Sequence, residues 1–326
     1  MLLKKIDAPF WRNSDTAKVI RRNKLIACSL LLILPTLVHG MRVLLLTAAV
    51  VATCVATEIV MCLFMRRDVR ISDLDSIVIG VMISVMMPAN VAYYVPAMAA
   101  VFAIAVAKMP FGGTGHAPFS PAAAGVVFST LCFPNEIFTY CSADAGKLGL
   151  NIFSAATVKT SPSLLALLDS YANTSISYWD VLTGHLAGPI ATASVLVLIG
   201  AAMYLFFQRC ARWEITAAFL IAAVVMASFN IRISGDWMRS VVCEICSGSL
   251  LFCAIFLATE YSTTPDLPAA RVVYGVLGGV LTMLLRWFGA YEQMACFSIL
   301  LMNAVAGPLD RLMWKIMEGR RTCGKG

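Results

Sequence analysis

Apolar residues along this chain come in long runs, not at the spacing of a soluble helix or strand. "SLLLILPTLV" (29–38), "VLLLTAAVVATCVATEIVMCLF" (43–64) and "VLVLIGAAMYLFF" (195–207) carry apolar side chains on every face. A helix apolar all round is surrounded by lipid or by other apolar helices. A spanning helix needs about 20 such residues, fewer when it is interrupted. The pattern predicts ten spans, at about 25–40, 42–64, 74–89, 91–108, 118–134, 187–207, 213–231, 241–259, 270–287 and 293–313. The expected fold class is an all-α integral membrane protein.

Composition agrees, with 60% apolar and 13% charged residues against roughly half and a quarter in soluble domains. No cleavable signal fits the start, because "MLLKKIDAPFWRNSDTAKVIRRNK" stays polar and basic for too long. The net charge of +7 bears on topology and not on nucleic acid. Lys and Arg concentrate in cytoplasmic loops. With the N-terminus inside, 19 of the 25 Lys and Arg fall on inner segments. Only Arg42, Lys147, Lys159, Arg232, Arg239 and Arg286 fall on outer ones. Both termini are therefore expected inside. The chain divides into a cytoplasmic segment 1–24, a first membrane half 25–134, an outer loop 135–186, a second half 187–313 and a cytoplasmic tail 314–326.

An internal repeat follows the same punctuation. At an offset of 177 residues, Pro88 matches Pro265, Phe111 matches Phe288 and Gly112 matches Gly289. Each copy reads as span, Pro-containing break, Gly-rich span, Phe-Gly, span. Five spans apart means opposite orientation, a 5+5 inverted repeat of the kind that places a functional site near the repeat interface.

Within the first copy, "FGGTGHAPFSPAAAGVVF" (111–128) stands out. Gly112, Gly113 and Gly115 permit backbone shapes closed to other residues, and Pro118 and Pro121 block a regular helix upstream. Irregular backbone at membrane depth lines a cavity or is buried in protein; a tight re-entrant turn is the equal alternative. Glu58 lies inside span 2, where a carboxylate needs either a partner or a role in an ion path. Glu244 and Asp236 are expected to pair with Arg232 and Arg239. Asp310 and Arg311 read as structural. His116 is placed to contact a cofactor or carry a proton. Cys243 and Cys246, in "CEIC", have metal-like spacing but no second pair, and packing is the favoured reading. The outer loop carries a hydroxyl-rich stretch, "NIFSAATVKTSPS" (151–163), followed by Leu164, Leu165, Leu167 and Leu168 in a short amphipathic pattern that would lie along the membrane surface. Neither a Walker loop nor a dinucleotide fingerprint nor an iron–sulfur pattern occurs.

The segment 111–128 resembles the motif region of the D-type membrane component of the Rnf electron transport complex, and of the homologous B-type component of the sodium-pumping NADH:quinone oxidoreductase. The likeness continues over 183–215 and 248–311, there on Thr259, Pro265, Arg271, Gly289, Asn303 and Asp310. The short N-terminal region favours the Rnf member; the alternatives are the quinone-oxidoreductase component and a non-redox inverted-repeat channel or carrier. The resemblance implies FMN joined through its phosphate to a threonine in the outer loop. The positions matching that motif run from Asn151 to Thr157, so Thr157 would bear the flavin, with Ser154 and Ala156 shaping recognition. Asn151 stands where the family has an acidic residue, and Ala155 where it has Gly. The resemblance also implies electron relay between NADH-side and ferredoxin-side partners, coupled to Na+ or H+ transport. Implied partners are Rnf-type subunits of the A, B, C, E and G types, a flavin transferase and the bilayer of a bacterial inner membrane. Gly112, Gly113, Gly115 and His116 would adjoin a flavin, and a second, non-covalent flavin such as riboflavin is a further expectation.

Overall fold

The structure, a computed structural model, describes residues 17–66, 74–141, 160–169, 178–183, 187–190, 194–230, 236–289 and 292–323. The first half opens with two long helices, α1 (Ala17–His39) and α2 (Arg42–Phe64). Next come α3 (Asp75–Val85), α4 (Tyr94–Phe102, continued as a π-helix over Ala103–Lys108) and α5 (Pro121–Cys132). The connecting region holds α6 (Pro134–Ile137), β1 (Tyr140–Cys141), β2 (Thr160–Ser161), α7 (Leu164–Asp169) and α8 (Tyr178–Thr183). The strands pair antiparallel, Tyr140 opposite Ser161. The second half holds α9 (Val195–Phe207), α10 (Trp213–Phe229), α11 (Trp237–Cys246), α12 (Leu250–Phe252, continued as a π-helix over Cys253–Leu257), α13 (Pro268–Phe288) and α14 (Met294–Cys323).

Among the described residues, α1, α2, α13 and α14 are each long and apolar enough to cross a membrane, and α11 with the segment Leu250–Leu257 is so only as a pair, bent by 64° as in a broken span or a re-entrant loop. The helices α3, α4, α5, α9 and α10 are apolar but shorter. Several expected boundaries moved. The first helix begins upstream of residue 25, because "AKVIRRNK" keeps helical phase and turns Asn23 and Lys24 inward. The predicted span 241–259 is interrupted at Gly248, whose φ of +60° no ordinary helix residue adopts.

Small residues let the helices touch. A Cβ on Gly275 would come within 2.7 Å of Ile215 O, and one on Gly279 within 2.4 Å of Phe219 O. These two glycines, four apart on α13, seat α10 backbone against backbone, as small residues do where lipid removes any hydrophobic drive. Gly80 of α3 does the same against Val51 of α2, and Gly125 of α5 against Ala99 of α4. Phe64, Phe207, Phe229 and Phe288 sit exposed near helix ends, a surface suited to a bilayer and not to water. The protein is a helical, multi-pass membrane protein.

Contacts sort the helix ends into two levels. At one, His39 lies by Cys141, Arg42 donates to the carbonyls of Ala89 and Val91, and Ile190 N–H donates to Met87 O. There too Gln293 Nε2 donates to Met86 O and Thr130 donates to Gln293. At the other, Lys108 joins Glu58 and Asp75, Arg212 joins Asp266, and Asp310 caps the N–H groups of Asp266 and Leu267.

Candidate functional site

The Lys108 level holds the richest chemistry. The π-helical turn that ends α4 closes with an i→i+5 bond from Met109 N–H to Ile104 O at 2.9 Å; such turns recur at functional sites. It delivers Lys108 into the protein with 1% of its surface exposed. The ammonium has three N–H donors, and three oxygens receive them: Glu58 Oε1 at 2.8 Å, Ser76 Oγ at 2.8 Å and Asp75 Oδ2 at 3.0 Å. The other oxygen of Asp75 lies 3.3 Å from Arg21 Nε. Two carboxylates and two cations therefore neutralise one another across α1, α2, α3 and α4. Of the two readings of Glu58, a partner or a role in an ion path, the structure supplies the partner, Lys108.

The glycine-rich turn follows directly. Gly113 N–H donates to Lys108 O, and His116 N–H donates to Gly113 O. Gly112, Gly113 and Gly115 have φ of +116°, +85° and +85°, so the turn needs glycine for backbone reasons. A Cβ on Gly113 or Gly115 would meet nothing within 4 Å, which leaves conformation, not space, as the constraint. His116 is exposed, its Nδ1 3.3 Å from Thr114 O. The turn ends at Ser120, whose N–H is accepted by the Asn303 amide, which in turn donates to Tyr274 Oη and Ile299 O; that amide orientation is assigned from the network.

A cavity of about 300 Å³ opens beside these groups, lined by Arg21, Lys24, Asp75, Gly115, Glu260 and Tyr261. Lys24 is buried, and Glu260 Oε2 is enclosed without a hydrogen-bond partner among the described residues. Burial pushes the Glu260 carboxyl up, offset by the charge of Lys24 and by Ser120. The arrangement presents two acidic side chains, Asp75 and Glu260, and two cations, Arg21 and Lys24, to this cavity, chemistry suited to holding protons or small ions.

The model of the NQR2, RnfD, RnfE family matches residues 5–317 of this chain. The chain belongs to that family. Among its relatives, the D-type component of the Na(+)-translocating ferredoxin:NAD(+) oxidoreductase complex of Acetobacterium woodii is 29% identical over 93% of this chain and 90% of its own. The D-type component of the proton-translocating ferredoxin:NAD(+) oxidoreductase complex of Clostridium ljungdahlii is 26% identical over 87% and 85%. The D-type component of the ion-translocating oxidoreductase complex of Citrobacter koseri is 27% identical over 74% and 76%.

For this member of the NQR2, RnfD, RnfE family, the structure sorts the candidates read from sequence. Gly112, Gly113, Gly115, His116 and Glu58 share one level, with Gly115 on the cavity wall. Thr157, Ser154 and Ala156 lie outside the described residues, as does Arg232. Asp236 pairs with Arg239 at 3.8 Å, while the Glu244 carbonyl receives Arg286 Nη1 at 2.9 Å. Cys243 and Cys246 pack against Leu164, Leu168 and Val181. Leu164 and Leu168 of α7 thus pack toward α11, whose apolar end offers them cover. Asp310 is structural, as expected.

Three arginines carry roles that charge counting missed. Arg42, fully buried, anchors the break between α3 and α4 through the carbonyls of Ala89, Asn90 and Val91, with its guanidinium 5.0 Å from the Tyr93 ring. Arg212 anchors the break before α13 through Thr264, Pro265 O and Asp266, 4.9 Å from the Tyr261 ring. Arg286 anchors the bend at Gly248 through Glu244 O, Ser247 O and Ser247 Oγ. By charge counting, Arg42 and Arg286 are outer-face charges and Lys108 an inner one. All three are held by protein: Arg42 and Arg286 by backbone carbonyls of broken spans, which lipid cannot satisfy, and Lys108 by Glu58, Asp75 and Ser76. The one available signal was an Arg at the border of an otherwise apolar helix.

Proposed function

We propose that this chain is the D-type membrane component of an Rnf-type ion-translocating oxidoreductase complex, with FMN on Thr157. The observation that carries the reading is a family match over residues 5–317 combined with "NIFSAAT" in the long outer connection. The hydroxyl of Thr157 is the right acceptor for a phosphoester, and small neighbours at Ala155 and Ala156 leave the backbone open to a modifying enzyme. Bound FMN supplies electron transfer; the chain supplies position, dielectric and access. Electrons pass between NADH-side and ferredoxin-side partner subunits, coupled to movement of Na+ or H+. The relatives' names include both a Na+ and a proton translocator, so family membership leaves the ion open. A flavin transferase matures the chain, and partner subunits supply the NADH and iron–sulfur chemistry.

In this reading the chain crosses a bacterial inner membrane ten times in a 5+5 inverted repeat, with both termini cytoplasmic and the FMN loop outside. The alternation of helix ends between the Arg42 and Lys108 levels supports ten crossings, with the Lys108 level inside. Pro88 and Pro265 fall in matching breaks. The Arg42–Tyr93 and Arg212–Tyr261 pairs stand at those same two breaks, which supports two related halves.

The test is fluorescence after denaturation. Wild-type protein from cells with the transferase should give an ultraviolet-fluorescent band in SDS and gain the mass of one FMN. Thr157→Ala should abolish the fluorescence while the membrane band persists, and Ser154→Ala should reduce it. Full fluorescence in Thr157→Ala moves the attachment site, and a dark wild type overturns the flavin reading.

A further inference from the structure

We propose that the Lys108 ammonium is a tethered cation filling a monovalent-cation site built by Glu58, Asp75 and Ser76, which opens toward the cavity through Asp75. The inference deepens the ion-translocation reading and rests on it only for the direction from which ions arrive.

The geometry comes first. Three oxygens from three positions converge on one nitrogen at 2.8 to 3.0 Å. They come from two helices, Glu58 late on α2 and Asp75 and Ser76 in the first turn of α3. An oxygen cage of two carboxylates and a hydroxyl is the donor set that replaces the hydration shell of a hard cation. A surface ion pair would leave the ammonium wet, but Lys108 is 1% exposed.

Charge comes second. Glu58 and Asp75 bring two negative charges; Lys108 and Arg21 bring two positive ones. Among the described residues, removing Lys108 takes from Glu58 the cation it pairs with and leaves Asp75 with Arg21, a local deficit that one monovalent cation corrects. Partly buried charge left uncompensated is destabilising, so the vacated cage should bind what it can reach.

Access comes third and is independent of the other two. Asp75 holds Lys108 with one oxygen and lines the cavity shared with Arg21, Lys24 and Glu260. A cation in that cavity is one side chain from the cage. The π-helical turn sets the register that drives the ammonium into the cage. Lys108 therefore keeps the site closed to free cations in the resting chain, and any ion that uses Glu58 or Asp75 must first displace it.

The test compares the thermal stability of the full chain in detergent in NaCl, KCl and choline chloride at equal ionic strength. Wild type should respond alike to all three. Lys108→Met should be stabilised by NaCl or KCl and not by choline, and at ten times the dissociation constant its folded-to-unfolded ratio should rise about 11-fold. Lys108→Met/Glu58→Gln, with charge rebalanced, should fold and lose the cation response. Equal behaviour of Lys108→Met in all three salts overturns the proposal, as does stabilisation by acid alone, which would mean that a proton and not a cation fills the gap. A Na+ or K+ response already present in wild type also overturns it. So does a Lys108→Met chain that folds in no salt while the double variant folds. None of these readouts involves flavin or electron transfer, so their failure is separable from failure of the proposed role in the complex.

Discussion

At the scale of single residues, conformation and space give separate predictions. Gly248 sits at φ +60°, and a Cβ there would lie 2.9 Å from Arg286 Nη2. Gly248→Ala meets both penalties, a left-handed backbone costing about 1–2 kcal/mol and a displaced anchor. It should lower the unfolding midpoint in detergent more than Gly113→Ala, where φ is +85° but nothing lies within 4 Å. Equal shifts would mean that Arg286 yields freely. At Gly115, Val should impair electron transfer in the assembled complex, because a β-branched side chain resists positive φ beside the cavity; full activity would reduce the motif to a turn. Glu260 adds a pH dependence. It lies in the connection between α12 and α13, and burial holds its carboxyl above the ordinary range. The folded chain then keeps a proton that the unfolded chain has released, so stability falls as pH rises from the ordinary carboxyl range through the raised value. Glu260→Gln should flatten that slope in thermal melts taken across the same window.

At the scale of elements, the α10–α13 pair makes the sharpest claim. Gly275 and Gly279 meet backbone atoms of α10, whereas Gly200 on α9 and Gly307 on α14 meet nothing within 4 Å. Gly279→Leu must push two helices apart, an overpacking cost of about 1–3 kcal/mol or more. Gly200→Ala and Gly307→Ala should stay within about 0.5 kcal/mol of wild type. Chemical unfolding of the chain in mixed micelles ranks the three, and a tolerant Gly279 would show that α10 and α13 slide. The periodic pattern announces these helices but not their partners, since GxxxG spacing also occurs where no helix docks. Likewise the π-helical turns leave no mark in "AIAVAK" or "CAIFL", because an inserted residue in the ladder is decided by what the next side chain must reach.

At the scale of the whole molecule, the proposed orientation rests on charge. A reporter fused after Gly326 should be active only in its cytoplasmic form, and one inserted near Lys147 only in its external form. Either result reversed would invert the assignment and put the proposed flavin on the other face. The charge asymmetry that supports this reading survives the structure's correction. Arg42, Arg212, Arg286 and Lys108 leave the count because protein holds them, two from each face.

The sequence by itself determined the membrane class, the family, the breaks at Pro88 and Pro265 and the need for glycine at 112, 113 and 115. Each of these is local: a run too apolar for water, a ring with fixed φ, a backbone angle that only Gly reaches easily. It also flagged Glu58 as a carboxylate in need of a partner or a role in an ion path. Only the tertiary structure decided who that partner is, because Lys108 is 50 positions away in sequence and on another helix. It decided too that Arg42, Arg212 and Arg286 hold broken backbone instead of marking a face. The physical reason is the same throughout. In lipid every interrupted carbonyl and every buried charge must find its complement inside the protein, and which complement is near depends on how the helices pack.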